Sequence, residues 1–128
     1  AYVLSEAPGG LKAAQAVIIA TGSEVPMAID AQKQLAAQGM PVRVVSMPST
    51  TVFDRQSVAY KSSVLPEGLP RVAVEAGVTD GWWKYVRASG AVLGVDSFGE
   101  SAPAGAVYKH FKLTADNLAA VVTQVIKG

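Results

Sequence analysis

Apolar residues along this chain concentrate in four short runs, each closed by small or polar residues. The runs lie at 15–22 (QAVIIATG), 42–46 (VRVVS), 71–77 (RVAVEAG) and 91–97 (AVLGVDS). Continuous apolar runs of this length are typical of strands that are buried on both faces. Because stretches with helical spacing separate the runs, the pattern predicts a parallel, doubly wound sheet in an α/β fold.

Helical spacing is clearest in the stretch at 23–39 and in the stretch that follows Thr114. Ser23 is placed to cap a helix that Gly39 ends, and Thr114 is placed to cap the last helix. Four apolar residues of that last helix share one face at the spacing i, i+3, i+4 and i+7: Leu118, Val121, Val122 and Val125. Other predicted elements are a short strand at 2–4 and helices at 54–66, 80–90 and about 103–111.

The bulk composition fits one domain. The 128 residues are 50% hydrophobic and 16% charged with a net charge of +1, a balance that predicts neither disorder nor a general affinity for nucleic acid. The absence of cysteine excludes disulfides and zinc–thiolate sites.

The most apolar run is far shorter than the roughly 20 residues of a membrane span, so we expect a soluble, cytoplasmic protein. The chain opens without methionine in a strand-like pattern, so we expect a piece of a longer polypeptide.

Polar residues follow each buried strand, at the sheet edge where α/β proteins usually bind ligands. This edge carries four acids: Glu24, Glu75, Asp80 and Glu100. Acids repel anions and neither glycine-rich phosphate motif occurs, so nucleotide binding is disfavoured. Two interpretations of the acids stay open, namely stabilisation by helix macrodipoles and a functional role. The candidate ligand-binding or docking rim consists of Ser23, Glu24, Ser49, Thr50, Glu75, Glu100 and Ser101.

The two neighbouring tryptophans and the single histidine are further functional candidates. Neighbouring helical positions point about 100° apart, so Trp82 is predicted to pack inward while Trp83 faces outward. Trp83 is either an interface anchor or a side chain lying across the domain's own surface. His110, the only histidine, is predicted on the surface of an outer helix. With no serine elbow or metal-ligand spacing, we predict no catalytic, cofactor-binding or metal-binding residue in this chain.

Four stretches, in this order and at these spacings, resemble the C-terminal domain of transketolases: IATGSEV, RVVSMPSTTVFDRQ, VAVEAGVTDGWWKYV and FGESAPA. The resemblance extends from Tyr2 through the last helix. It implies a three-layer α/β/α sandwich around a mostly parallel mixed sheet of about five strands. Residues 2–4 would then be the one antiparallel strand.

The resemblance also implies the chemistry of a larger enzyme. Transketolases of the pentose phosphate pathway move a two-carbon ketol unit between sugar phosphates, with thiamine diphosphate and a divalent metal, magnesium or calcium. They are homodimers of three-domain chains. Residues 1–128 would pack on the N-terminal and middle domains, the cofactor and sugar phosphates would bind elsewhere, and the isolated piece would be inactive. The alternative is a regulatory small-molecule-binding module or a separate subunit of a related thiamine diphosphate enzyme.

Overall fold

A six-stranded mixed sheet forms the centre of the molecule. The computed structural model describes residues 2–47, 53–75, 86, 90–94, 107–110 and 114–127. The strands are β1 (Tyr2–Ser5), β2 (Val17–Ala20), β3 (Arg43–Ser46), β4 (Arg71–Glu75), β5 (Ala91–Gly94) and β6 (Val107–His110). They lie side by side in the order β1-β3-β2-β4-β5-β6. The four apolar runs of the sequence therefore form the four inner strands.

The strand directions are those of a mixed, mostly parallel sheet. β1 runs antiparallel to β3, whereas all other neighbouring strands are parallel. Ile18 of β2 lies in register between Val44 of β3 and Val72 of β4. The carboxyl ends of the parallel strands meet at one side of the sheet, called the carboxyl edge below, and their amino ends meet at the amino edge. β1 begins at the carboxyl edge because it runs in the opposite direction.

Helices cover both faces of the sheet. The α-helices whose ends the structure describes are α1 (Val25–Ala37), α2 (Val58–Val64) and α3 (Ala115–Lys127), and short 3-10 turns occupy Leu11–Ala13 and Gly22–Glu24. On one face, α1 and α3 pack against the core around Ile18, Val44 and Val72. On the other face, the end of α2 closes a second core that includes Val17, Ile19, Val45, Val64 and Leu65. The three-layer α/β/α sandwich is therefore confirmed, as is the antiparallel strand at its edge.

Helix α1 begins one residue later than the sequence predicts. Glu24 holds the N-cap position, because Gly22–Glu24 forms a 3-10 turn before α1. The prediction that Ser23 caps the helix was therefore wrong. Pro26 lies in the first turn of α1, where its missing N–H costs no intrahelical hydrogen bond.

The end of α1 is where the sequence predicts it. Gly39 adopts a left-handed φ of 79°, which a residue without a side chain accepts at no steric cost. The Gly39 N–H donates to the Ala36 carbonyl at 3.0 Å, and the Met40 N–H donates to the Leu35 carbonyl at 2.9 Å. This pair of hydrogen bonds satisfies two of the carbonyls that the end of a helix leaves without partners.

The last helix follows its sequence pattern closely. The Thr114 hydroxyl accepts a hydrogen bond from the Asn117 N–H at 3.1 Å, as expected of an N-cap. Of the predicted apolar stripe, Leu118, Val121 and Val122 are buried and Val125 is half-buried. The stripe packs against the same core as α1.

Residues 107–110 form a strand, so the helix predicted at about 103–111 is wrong there. β6 pairs in parallel with β5, with Val107 beside Ala91 and His110 beside Gly94. Valine and tyrosine favour strands, and four residues are too few to distinguish the helical period from the strand period. The sheet thus has six strands rather than about five, and His110 lies on an edge strand rather than on an outer helix.

The two remaining predicted helices are described in part. The helix predicted at 54–66 spans Val58–Val64, and the Ser57 side chain caps it by accepting the Tyr60 N–H at 3.1 Å. Of the helix predicted at 80–90, the structure describes Val86 and Gly90. A Cβ on Gly90 would collide with the Arg71 carbonyl and lie 2.5 Å from Val86 Cγ1. Close backbone packing therefore requires glycine at this position.

Candidate functional site

The predicted polar rim lies along the carboxyl edge, and the structure describes part of it. Of Ser23 and Glu75 the backbone alone is described, in the turn after β2 and at the end of β4. These two positions share the carboxyl edge because β2 and β4 are neighbours. The other predicted residues, except Glu24, lie outside the described residues: Ser49, Thr50, Asp80, Trp83, Glu100 and Ser101. Ligand binding at the rim stays a prediction.

Glu24 is the rim residue whose side chain the structure describes, and it is 6% exposed. Its main-chain N–H donates to the Thr21 carbonyl at 3.1 Å. The carboxylate makes no capping hydrogen bond to the first turn of α1, although the macrodipole favours an acid at this end of a helix. Its burial places Glu24 among the packed residues rather than on a solvent-facing surface.

Two buried arginines form a charged site at the opposite, amino edge. Arg43 and Arg71 are the first residues of β3 and β4, and both lie beside Val17 in the sheet. Both are almost completely buried. A charge removed from water in this way needs hydrogen-bonding partners, and α2 supplies them.

Both guanidinium groups donate to carbonyl oxygens at the end of α2. Arg43 Nη1 donates to the Ser63 carbonyl at 2.6 Å and to the Val64 carbonyl at 3.1 Å. Arg71 Nη2 donates to the Leu65 carbonyl at 2.9 Å. The last carbonyls of a helix lack intrahelical partners and carry the negative end of its dipole, so cations are stabilised there. The two arginines thereby fix α2 to two strands of the sheet.

Glu6 completes this site by pairing with Arg43. Arg43 Nε donates to Glu6 Oε1 at 3.0 Å, and Arg43 Nη2 donates to Glu6 Oε2 at 2.7 Å. The hydrogen bonding by Arg43 lowers the pKa of Glu6 below its ordinary value, against the opposing effect of burial. The ion pair ties the segment that follows β1 to the start of β3.

Gln32 of α1 holds the same segment from the other face of the sheet. Its Nε2 donates to the carbonyls of Ser5 and Glu6, both at 3.2 Å, and to that of Val42 at 2.9 Å. Its Oε1 accepts a hydrogen bond from the Ser5 hydroxyl at 2.8 Å. Gln32 is buried, so these hydrogen bonds replace water for both the side chain and the carbonyls.

The amino-edge contacts stabilise the fold, and the sequence-based search for functional residues missed them. A signal was present, because each of two otherwise apolar runs, VRVVS and RVAVEAG, contains an arginine at or near its start. Such an arginine must find partners when its strand is buried. Among the described residues, no group of three or more histidine, aspartate or glutamate side chains could hold a metal ion. No helix in the described part of the chain is long and apolar enough to cross a membrane.

Comparisons with known proteins connect the chain to one family. The profile described as the transketolase-like TK C-terminal domain matches residues 1–114. Transketolase 1 of Escherichia coli (strain K12) is 48% identical over 126 residues, which make up 98% of this chain and 19% of that protein. A probable transketolase of Streptococcus pneumoniae serotype 4 is 55% identical over 107 residues, or 83% of this chain and 16% of that protein.

Solved structures lead to the same family. The transketolase from Leishmania mexicana matches with a TM-score of 0.78 and 42% identity, over 98% of this chain and 18% of that chain. A Pichia stipitis transketolase in complex with sedoheptulose-7-phosphate matches with a TM-score of 0.78 and 36% identity, over the same shares. This chain thus spans less than a fifth of the length of these relatives. It belongs to the transketolase family, in which it corresponds to the C-terminal domain.

Proposed function

We propose that residues 1–128 are one domain of a longer, thiamine diphosphate-dependent transketolase, which transfers a two-carbon ketol unit between sugar phosphates in the pentose phosphate pathway. The observation that best supports this is the 48% identity to a transketolase over 98% of the chain. Because the chain accounts for only 19% of that relative's length, the proposed enzyme contains N-terminal and middle domains that come before this one.

The buried charged side chains of the amino edge are engaged in contacts within the domain. A diphosphate requires N–H donors, cations or a metal held by carboxylates. The buried Arg43 and Arg71 already donate to the end of α2, and Arg43 also pairs with Glu6. Glu24 is buried at the start of α1. We therefore place thiamine diphosphate, its divalent metal (magnesium or calcium) and the sugar phosphates in the other domains.

The role proposed for this domain is to pack on those domains and to support the homodimer, without supplying a catalytic residue. The contacts of Arg43, Glu6 and Gln32 support the second part of this role, because they link strands and helices of the same domain and so engage these side chains in its own fold. The proposed location of the enzyme is the cytoplasm, with which a cysteine-free domain is compatible.

Ketol transfer by the intact polypeptide tests the proposal. The polypeptide that contains residues 1–128 is purified and supplied with thiamine diphosphate, magnesium, a ketose phosphate donor and an aldose phosphate acceptor. Residues 1–128 expressed alone are the control. We expect transfer by the intact polypeptide and none by the control. No transfer by the intact polypeptide, or transfer by residues 1–128 alone, contradicts the proposal.

A further inference from the structure

We propose that the surface formed by Tyr2, Val58 and Tyr60 is covered by the part of the polypeptide that precedes residue 1. This inference rests on the proposed function, in which a longer polypeptide contains this domain. It goes further by assigning the surface of the domain that the preceding domains contact.

The direction of β1 determines where the preceding polypeptide meets the domain. β1 is antiparallel to β3, and Tyr2 pairs with Ser46, the last residue of β3. Tyr2 therefore lies at the carboxyl edge. A polypeptide that continues from Tyr2 toward its own N-terminus leaves the domain at this edge, whereas a first strand parallel to the others would place it at the amino edge.

The start of α2 lies toward the same edge. The chain leaves β3 at the carboxyl edge and must reach Arg71 at the amino edge to begin β4. The end of α2 is held at the amino edge by Arg43 and Arg71. The helix has seven residues, so at about 1.5 Å per residue Val58 lies about 9 Å from Val64 along the axis. Because the chain approaches α2 from the carboxyl end of β3, we infer that Val58 lies on the carboxyl-edge side of Val64.

This part of the surface is apolar and exposed. Val58 is 77% exposed, Tyr60 is 38% exposed and Tyr2 is 48% exposed. Of α2, only Val64 is buried, so most of the helix surface faces solvent. Removing an exposed apolar side chain such as that of valine from water is favourable. Exposed apolar side chains at a helix start, which the described residues leave uncovered, are the kind of surface that a packing partner buries.

The polypeptide's own preceding part is the occupant that the comparisons favour. The matching profile is that of a C-terminal domain, and the chain covers 19% of the length of its Escherichia coli relative. Most of the proposed polypeptide therefore precedes residue 1 and is tethered beside Tyr2. Residues joined directly to Tyr2 are held beside this surface by the peptide chain itself, so they can contact it without a separate binding step.

Thiol labelling of the intact polypeptide tests the proposal. Residues 1–128 contain no cysteine, so the thiol introduced by Val58→Cys can be followed in its own peptide by mass spectrometry after maleimide labelling. The matched control is Leu11→Cys. Leu11 is also an exposed apolar residue, at 43%, but it lies between the amino-edge ends of β1 and β2. We expect V58C to be labelled at least tenfold more slowly than L11C; equal labelling rates overturn the inference.

A photo-crosslinker separates the chain's own preceding part from a second copy. Tyr60 is replaced by p-benzoylphenylalanine in the intact polypeptide, which is then irradiated. A cross-link to peptides that precede residue 1, at the denatured mass of one polypeptide, supports the inference. A doubled mass assigns the surface to a second copy and overturns it.

Ketol transfer, measured on the same samples, reports separately on the proposed function. Absent transfer together with a protected thiol at position 58 contradicts the proposed function and still supports the covered surface. Normal transfer together with equal labelling of V58C and L11C overturns the covered surface alone.

Discussion

Replacing Glu6 with glutamine tests whether its ion pair with Arg43 stabilises the amino edge. The Glu6 carboxylate accepts two hydrogen bonds from Arg43, at 3.0 and 2.7 Å. Glutamine has nearly the same size and keeps one acceptor oxygen, but it loses the negative charge and the second acceptor. Arg43 then stays buried with the carbonyls at the end of α2 as its remaining partners.

The size of the effect follows from the unequal burial of the two partners. Breaking a fully buried ion pair costs about 3–5 kcal/mol, whereas an exposed pair is worth about 0–1 kcal/mol. The Arg43 side chain is 5% exposed and that of Glu6 is 40% exposed, so water screens the carboxylate. We therefore expect Glu6→Gln to lower the free energy of unfolding by about 1–2 kcal/mol. With a urea m-value of about 2 kcal/mol/M, the unfolding midpoint falls by roughly 0.5–1 M.

The pH dependence of this effect has a definite sign. Hydrogen bonding by Arg43 lowers the pKa of Glu6 in the folded state, whereas in the unfolded chain a glutamate titrates near its ordinary pKa of about 4.3. The ion pair therefore stabilises the fold fully above that unfolded pKa, and the stabilisation is lost as the pH falls through the lowered, folded pKa. The stability gap between the unsubstituted chain and E6Q is widest near neutral pH and closes in acid.

Urea unfolding of residues 1–128, followed by far-ultraviolet circular dichroism from neutral to acidic pH, measures this gap. The matched control is Asp30→Asn, because Asp30 is exposed on α1 and makes no hydrogen bond or ion pair among the described residues. We expect the control to stay within about 0.5 kcal/mol of the unsubstituted chain. A gap for E6Q no larger than that of D30N, or one that does not change with pH, would refute the reasoning.

Three further substitutions test the contacts of individual residues by urea unfolding. Gln32→Leu leaves buried carbonyls without their donor, so we expect a loss of about 2–3 kcal/mol, and unchanged stability contradicts this. Gly90→Ala drives a methyl group into the Arg71 carbonyl, so we expect a loss of about 3 kcal/mol; a loss below about 1 kcal/mol argues against the close approach. Thr114→Ala removes the cap of α3 at a cost of about 1 kcal/mol and accelerates amide exchange in its first turn; unaltered exchange there is the contrary result.

The interior of the sheet could be predicted from the sequence because its signals are local. The inner strands β2, β3 and β4 have apolar residues buried on both faces and therefore appear as apolar-rich runs, such as the one around Ile18. The helix ends at Gly39 and Thr114 were predicted for the same reason, since capping depends on residues close in the chain. The carboxyl edge could also be located, because the topology of a parallel sheet fixes where strands such as β4 end.

The remaining features depend on contacts between distant residues. Glu6 and Arg43 are 37 positions apart, and no local pattern pairs them. β6 was mistaken for a helix because an edge strand of four residues shows no decisive period, and its pairing with β5 determines its structure. The cap of α1 moved from Ser23 to Glu24 because the chain inserts a 3-10 turn after β2, which propensity alone does not specify.

The most direct test is the mass and activity of the native polypeptide captured from its source cells with an antibody to residues 1–128. The chain has a mass of 13.2 kDa and spans 19% of the length of its Escherichia coli relative. Dividing the first value by the second gives an expected intact mass of about 70 kDa. We expect a polypeptide of about that mass that transfers a ketol unit with thiamine diphosphate. A native polypeptide of 13.2 kDa would contradict the assignment to a longer enzyme and favour a separate subunit.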